Sequence, residues 1–172
     1  MIRGEVMFRT KRLMLQSFSD KDYTNMKEML SNEEIGKTNM IPSLKSEADF
    51  LKIFNSFKNL SLNNDCFVVG VYLNNSLIGF MNQTEVDGES IELGYVINPK
   101  YKNNGYATEA LIKAIEILFE RGFKEVICGS FEENKASIRV MIKAGMNKID
   151  KEDDIEYKGI IHHCVYYSLK NK

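Results

Sequence analysis

A lysine, a glycine and an alanine at the spacing Lys102-x-x-Gly105-x-Ala107 stand where an extended apolar run ends and a helical pattern begins. The run is Ser90 to Ile97. Beyond the loop, Ala107, Ala110, Leu111, Ala114, Ile115, Leu118 and Phe119 recur at helical spacing up to Gly122, a residue suited to closing a helix. The chemistry such a junction supports is anion binding. Backbone N–H groups at a helix start lack intrahelical partners, carry roughly half a positive charge between them, and can point at a bound anion. Gly105 lets a ligand approach the backbone, Ala107 keeps the first turn free of bulk, and Lys102 adds a full charge at the rim. The local reading is a phosphate site; the alternative is an ordinary strand-to-helix turn. The Gly-x-x-x-x-Gly-Lys-Ser/Thr and Gly-x-Gly-x-x-Gly patterns are both absent, which excludes those two kinds of nucleotide loop.

Other residues able to do chemistry are few. His162 and His163 adjoin within a strand pattern, so one of the two side chains should face the interior. An imidazole with a pKa near ~6.5 can act as a base, but no motif surrounds this pair, and structural or substrate-contact roles are the reading. Cys66, Cys128 and Cys164 are odd in number and sit inside apolar runs without metal-ligand spacing. They are predicted to be buried free thiols, with no metal site and no His placed to serve a Cys nucleophile.

The elements that must position the loop follow from pattern and punctuation. Arg12 to Phe18 alternates and reads as a first strand. Ser19 with Asp22 starts one helix, whose apolar face is Tyr23, Met26, Met29 and Leu30. A linker follows around Gly36 to Pro42. Ser46 with Asp49 starts a second helix, whose stripe is Phe50, Leu51, Phe54 and Phe57, read as core. Cys66 to Leu73 is a strand buried on both faces, Asn74-Asn75-Ser76 a turn, Leu77 to Val86 a strand, Asp87-Gly88 a hairpin turn, and Ser90 to Ile97 the returning strand. Glu125 to Gly129 follows the central helix, so that helix is a crossover and the strands flanking it should run parallel. Asn134 to Ala144 is a helix closed by Gly145. Met146 to Tyr157 and Ile160 to Leu169 form a last hairpin turned near Lys158-Gly159. The class is α/β (α+β): a mixed, mostly antiparallel sheet of about seven strands with four helices.

With 172 residues, 44% hydrophobic and 27% charged, the chain is predicted to be one domain over residues 1–172. The balance of 23 basic against 24 acidic residues offers no general attraction for nucleic acid or anionic membrane. No apolar run approaches the ~18 residues of a spanning helix, and Met1-Ile-Arg-Gly-Glu lacks a signal-peptide core, so a cytoplasmic location is expected.

Three stretches carry a family resemblance. Lys102-x-x-Gly105-x-Ala107, preceded by Glu92-Leu-Gly-Tyr-Val-Ile-Asn-Pro99, resembles the coenzyme A pyrophosphate loop of the GNAT superfamily of N-acetyltransferases. Close relatives usually read Gln-Gly-Lys-Gly there, and this chain has Lys102, Asn103 and Asn104 at the first three positions; Asn tolerates left-handed backbone angles better than most residues. Asn134-Lys-Ala-Ser-Ile-Arg-Val-Met-Ile-Lys-Ala-Gly-Met146 is similar to the signature of the superfamily's last helix. Thr10-Lys-Arg-Leu-Met-Leu15 resembles the opening of the RimJ/RimL-type branch.

The resemblance implies the GNAT fold, in which the fourth strand, Ser90 to Ile97, and the fifth, Glu125 to Gly129, splay apart around the coenzyme's pantetheine arm. It implies acetyl-CoA as acyl donor, a primary amine as acceptor, and direct attack of that amine on the thioester. The coenzyme would contact Val96, Ile97, Asn98, Lys102, Asn103, Asn104, Gly105, Tyr106, Ala107 and Thr108, then Asn134, Ser137 and Lys143. Asn134 also fits a plain helix cap. Glu92 is the expected general base, with Glu89 the near alternative, and a backbone N–H near Ile97 is expected to meet the carbonyl oxygen. The position of the usual Tyr proton donor holds Met141, which shifts the donor role to Ser137, to an inward-turned Tyr101 or Tyr106, or to water. Asp150 to Glu156 is an acidic run near the implied acceptor side, either attracting a cationic amine or forming a solvated loop. The alternatives are a coenzyme-binding module without turnover and an enzyme for another acyl-CoA; the acceptor's identity and the choice between monomer and homodimer stay open.

Overall fold

The computed structural model describes residues 7–172, so the reading of the first five residues as no signal peptide lies outside it. In chain order the elements are β1 (Met7–Arg9), β2 (Met14–Gln16), α1 (Tyr23–Leu30), α2 (Glu33–Thr38), α3 (Glu47–Ser61), β3 (Val68–Leu73), β4 (Ser76–Asp87), β5 (Ser90–Ile97), α4 (Tyr106–Glu120), β6 (Glu125–Phe131), α5 (Lys135–Lys143), β7 (Asn147–Tyr157) and β8 (Ile160–Lys170). Short 3-10 turns at Asp20–Asp22 and Pro99–Tyr101 precede α1 and α4. The strands hydrogen-bond in the order β1-β2-β3-β4-β5-β6-β8-β7, a mixed and mostly antiparallel sheet.

The described residues thus hold eight strands and five helices against about seven and four predicted. β1 has three residues, too few for any alternation to register. α2 lies where the pattern gave a linker. Six residues with a glycine at the fourth carry no periodic signal, and the helix is started instead by the Asn32 side chain, which accepts from the N–H groups of Glu34 and Ile35.

The chain divides into two compact units. The first comprises residues up to Asn82 together with Tyr95–Tyr106. Its strands pair antiparallel, β1 with β2, β2 with β3, and β3 with β4. Phe54 of α3 is buried beside Phe18, Met26, Met29, Val68 and Phe80, and Phe50 and Phe57 pack against the same cluster, so three of the four stripe residues of α3 are core. Leu51, read as core with them, is exposed because it falls on the edge of the helix face turned from the cluster. Burying one such ring stabilises by about 1.5–3 kcal/mol. α3 begins with the Ser46–Asp49 capping box read from the sequence. The matching Ser19–Asp22 signal opens the 3-10 turn, and its buried Asp22 carboxylate accepts from the Ser19 N–H (2.8 Å), the Ser19 hydroxyl (3.0 Å) and the Tyr72 hydroxyl (2.8 Å).

The second unit comprises Gln83–Gly94 and Ala107–Lys172. β5 pairs with β6 in parallel, as a crossover helix requires, and that ladder runs from Ser90–Glu125 to Leu93–Cys128. α4 buries Ala110, Leu111, Ala114, Ile115 and Leu118, the positions given by its periodicity. Gly122 and Gly145 follow α4 and α5 with φ of 99° and 88°, closing both helices. β8 lies between β6 and β7, antiparallel to each. Cys128 and Cys164 are buried free thiols and Cys66 is half-buried, and burial pushes the Cys128 thiol up, with the Glu92 carboxylate adding to it. Among the described residues no helix is long and apolar enough to cross a membrane.

Within the first unit, Gly79 of β4 is closed in by the end of β5. A Cβ there would lie 2.4 Å from Val96 O and 2.5 Å from Ile97 Cδ1. Backbone on one side cannot yield without moving β5, so Gly79→Ala is expected to cost about 1–3 kcal/mol. Urea denaturation checks this, and an unchanged midpoint would contradict the packing.

Candidate active site

The loop between β5 and α4 is built from its first residue. Asn98 is buried; its N–H donates to Ile78 O (2.8 Å), its side-chain oxygen accepts from the Lys100 N–H (3.0 Å), and its Nδ2 donates to Glu28 Oε1 (3.0 Å). Lys100 pairs with the same Glu28, and Lys100 first and Asn98 second hold that carboxyl below its ordinary pKa. Asn103 and Gly105 take left-handed angles, φ 59° and 77°, as the sequence argument for Asn in this loop expects. Asn104 braces the turn from inside, its Nδ2 donating to Lys102 O (2.8 Å) and Tyr101 O (3.2 Å). α4 then begins at Tyr106, which puts Ala107 and Thr108 in its first turn.

Two residues that the sequence reading passed over grip this loop. Arg12 Nη1 donates to Asn104 O at 2.8 Å, and the guanidinium lies 4.6 Å from the centroid of the Tyr106 ring. A Cβ on Gly105 would meet Arg12 Nη2 at 3.4 Å. Glu34 of α2 pairs with Lys102, the rim cation. Arg12 lies inside a stretch already noted for resemblance, but nothing local ties it to a loop 92 residues away.

The first unit therefore brings together Val96, Ile97, Asn98, Lys102, Asn103, Asn104, Gly105 and Tyr106; the remaining expected residues, Glu92, Ala107, Thr108, Asn134, Ser137 and Lys143, belong to the second. There Asn134 caps α5, its side-chain oxygen accepting from the Ser137 N–H at 3.2 Å, so the cap role read for it is real. Ser137 is half-buried and Lys143 exposed. Met141 is fully buried, 0% exposed. Glu92 is 19% exposed; its Oε1 accepts from the Thr84 hydroxyl (3.1 Å) and its Oε2 from Lys151 Nζ (3.1 Å). Glu89 is exposed.

The histidine pair divides as its alternation required. The His162 side chain is 13% exposed, stacked 4.1 Å from Phe131 at 11°, with Nδ1 against Glu133. The His163 side chain is 41% exposed, with Nδ1 2.8 Å from Asp154 Oδ1 and Nε2 3.4 Å from Glu152 Oε2. The acidic run Asp150 to Glu156 is part of strand β7 and not a loop, although its carboxylates are exposed as the solvated reading expected; two of them have partners across the hairpin, Asp154 with His163 and Asp153 accepting from the Tyr166 hydroxyl at 2.9 Å. Among the described residues no group of three or more His, Cys, Asp or Glu could hold a metal ion.

The chain thus carries a left-handed Asn103–Gly105 turn ahead of a helix start, a helix-capping Asn134 and a strand-borne carboxylate, Glu92. The acetyltransferase (GNAT) domain family matches residues 12–147, and the chain belongs to that family. It is 35% identical over 145 residues to YnaD of Bacillus subtilis (strain 168), an uncharacterized N-acetyltransferase, with 81% of each chain covered. The crystal structure of a GNAT-family acetyltransferase from Bacillus anthracis superposes with a TM-score of 0.82 at 27% identity, over 96% of this chain and 98% of that one. RimL, a ribosomal alpha-N-protein acetyltransferase solved in complex with coenzyme A, shares the fold with a TM-score of 0.84 at 13% identity, over 96% and 98% of the two chains. The protein is therefore an acyltransferase, and GNAT acetyltransferases use acetyl-CoA.

The geometry around His163 fixes a pH response. The bond to Asp154 favours the imidazolium most, burial is the next largest effect and opposes it, and the carboxylates of Glu152, Asp154 and Glu132 favour it further, so His163 titrates above its ordinary 6.5. Because the folded value is the raised one, the stability this group contributes is complete below the unfolded pKa and is lost as pH rises through the folded pKa. Proton NMR of the His163 ring should show a midpoint above 6.5 that returns toward 6.5 in Asp154→Asn.

Proposed function

We propose that the chain, acting as one functional domain of the RimJ/RimL-type branch, transfers the acetyl group of acetyl-CoA to a primary amine by direct attack. The observation that carries this is the turn at residues 102–106. Left-handed Asn103 and Gly105 precede the first turn of α4, in a chain whose family match runs through both units. The residues present fit a coenzyme pyrophosphate. Gly105 takes a φ of 77° that a side chain would strain, and Lys102 supplies a cation whose partner Glu34 is half-exposed and exchangeable.

In this reading Lys102, Asn103, Asn104, Gly105, Tyr106, Ala107 and Thr108 hold the diphosphate. Val96, Ile97 and Asn98 border the thioester end, and Asn134, Ser137 and Lys143 contact the pantetheine arm. Bound acetyl-CoA supplies an acetyl thioester. The protein's tasks are to hold it still, to polarise its carbonyl through a backbone N–H near Ile97, and to take a proton from the amine. An alkyl amine of pKa near ~10.4 is neutral in well under ~1% of molecules at pH 7, and Glu92 is the group to accept that proton, directly or through water. Met141 carries no transferable proton, so the hydroxyl of Ser137 is the proposed donor to the departing sulfur.

Two substitutions separate binding from chemistry. Gly105→Val puts a β-branched residue at φ 77° and should abolish the heat of CoA binding in calorimetry. Glu92→Gln should keep that heat and lower acceptor-dependent thiol release, measured over a panel of primary amines, by about a hundredfold or more. Binding that survives Gly105→Val removes the loop from the site, and turnover unchanged at every pH in Glu92→Gln removes Glu92 as the base.

A further inference from the structure

Both carboxylate oxygens of Glu92 are engaged within the second unit, one by the Thr84 hydroxyl and the other by Lys151. The Lys151 ammonium also lies 4.2 Å from the centroid of the Tyr166 ring. That ring is itself fixed: Tyr166 is buried, and its hydroxyl donates to Asp153 Oδ2 at 2.9 Å. An ammonium held between a carboxylate and an aromatic face is how proteins recognise alkylammonium ligands.

A local irregularity brings Lys151 there. Lys148 pairs with Tyr167 and Glu152 with Val165, so Ile149, Asp150 and Lys151 together stand against Tyr166. Bulges re-aim side chains and loosen the ladder around them. The neighbouring Lys148 behaves as an ordinary surface cation, pairing with Glu152 four residues on, whereas Lys151 reaches a carboxylate 59 residues away. The Glu92 side chain is 19% exposed and that of Lys151 39%, so the pair is neither sealed nor fully solvated. It is of a kind that exchanges partners at small cost.

We propose that Lys151 is a tethered occupant of an ammonium seat formed by Glu92 and Tyr166, and that a primary alkylammonium acceptor enters by displacing it. The inference rests on the reading of Glu92 as the residue that meets the acceptor. The seat selects acceptors that arrive charged, because an alcohol brings no cation to exchange for the one that leaves. Displacement also prepares the chemistry. Once Lys151 has gone, Oε2 of Glu92 faces the incoming ammonium and can take its proton, leaving a neutral amine and a protonated carboxyl. A tethered competitor weakens apparent acceptor binding by the fraction of time it fills the seat.

Titration with n-butylammonium, followed by NMR of the Tyr166 ring, tests the proposal on the intact chain. Lys151→Met keeps the apolar stem and removes the charge. It should bind n-butylammonium at least threefold more tightly than the unaltered protein, while Lys151→Arg should not. Adding Glu92→Gln to Lys151→Met should erase the gain, and n-butanol should leave the ring signals of every variant unmoved. Equal or weaker n-butylammonium binding in Lys151→Met, with an unchanged urea midpoint, overturns the proposal, and Lys151→Gln repeats the measurement should the Met variant fold poorly. Failure of Glu92 as a base appears elsewhere, as unaltered turnover in Glu92→Gln, and leaves the binding comparison decisive for the seat.

Discussion

A turn with left-handed residues has to hold a costly backbone shape, and in this chain that requirement falls on Asn103 and Gly105. Left-handed angles cost an ordinary L-residue about 1–2 kcal/mol, less for Asn and nothing for Gly. What remains is offset locally. Asn104 ties two carbonyls of the same turn, and Arg12 ties the carbonyl of Asn104 while covering Tyr106. Each such bond contributes about 0.5–1.5 kcal/mol net, and those from a guanidinium more. The sum is of the order needed to keep one conformation of the turn. Arg12 also brings a positive charge to the Asn104 carbonyl without occupying Gly105's side-chain position, so the same contact shapes the loop and places a cation on it.

The second unit holds a different constraint, a partly buried carboxylate that needs partners. Glu92 sits on β5 beside β6, and the Thr84 hydroxyl from the adjoining strand fixes one of its oxygens. The other oxygen meets a cation supplied from β7. A carboxylate at 19% exposure without that cation would be partly desolvated and unpaired, an arrangement that costs more than an exposed charge does. Lys151 removes the penalty in the resting protein. The acidic character of β7 is likewise absorbed by pairing, with Glu152 beside Lys148 and His163, and Asp153 beside Tyr166. The run is a framework for the hairpin's polar face before it is anything else.

What was legible in the sequence was what short-range physics writes there. The core face of α4, the glycines closing α4 and α5, the Ser46–Asp49 start of α3 and the parallel β5–β6 ladder all follow from periods, caps and the geometry of a crossover. The left-handed turn was legible for the same reason, since Asn and Gly are the residues that tolerate it. β1 and α2 were not, because three residues cannot show a period and α2 rests on one side-chain cap. The placing of β8 between β6 and β7 is a choice among sheet orders that no local pattern encodes. Arg12 with Asn104 and Lys151 with Glu92 are pairs 92 and 59 residues apart. One arginine in an alternating strand and one lysine in an acidic run look like any other surface charge until the fold supplies their partners.

In the proposed reaction the two proton transfers differ in what they ask of the protein. An amine of pKa near ~10.4 must be brought roughly 3.4 units down to react at pH 7, about 2,500-fold against its protonated form, whereas a thiol of pKa near ~8.5 is only about 30-fold from release as thiolate. A missing base therefore costs far more than a missing acid. The strand carboxylate Glu92 is held by two partners, while on α5 Met141 is fully buried. A buried phenol at that position would need a hydrogen-bond partner in the core, and a thioether needs none. In the proposed mechanism the hydroxyl of half-buried Ser137, one turn earlier on the same helix, serves a leaving group that departs almost unaided.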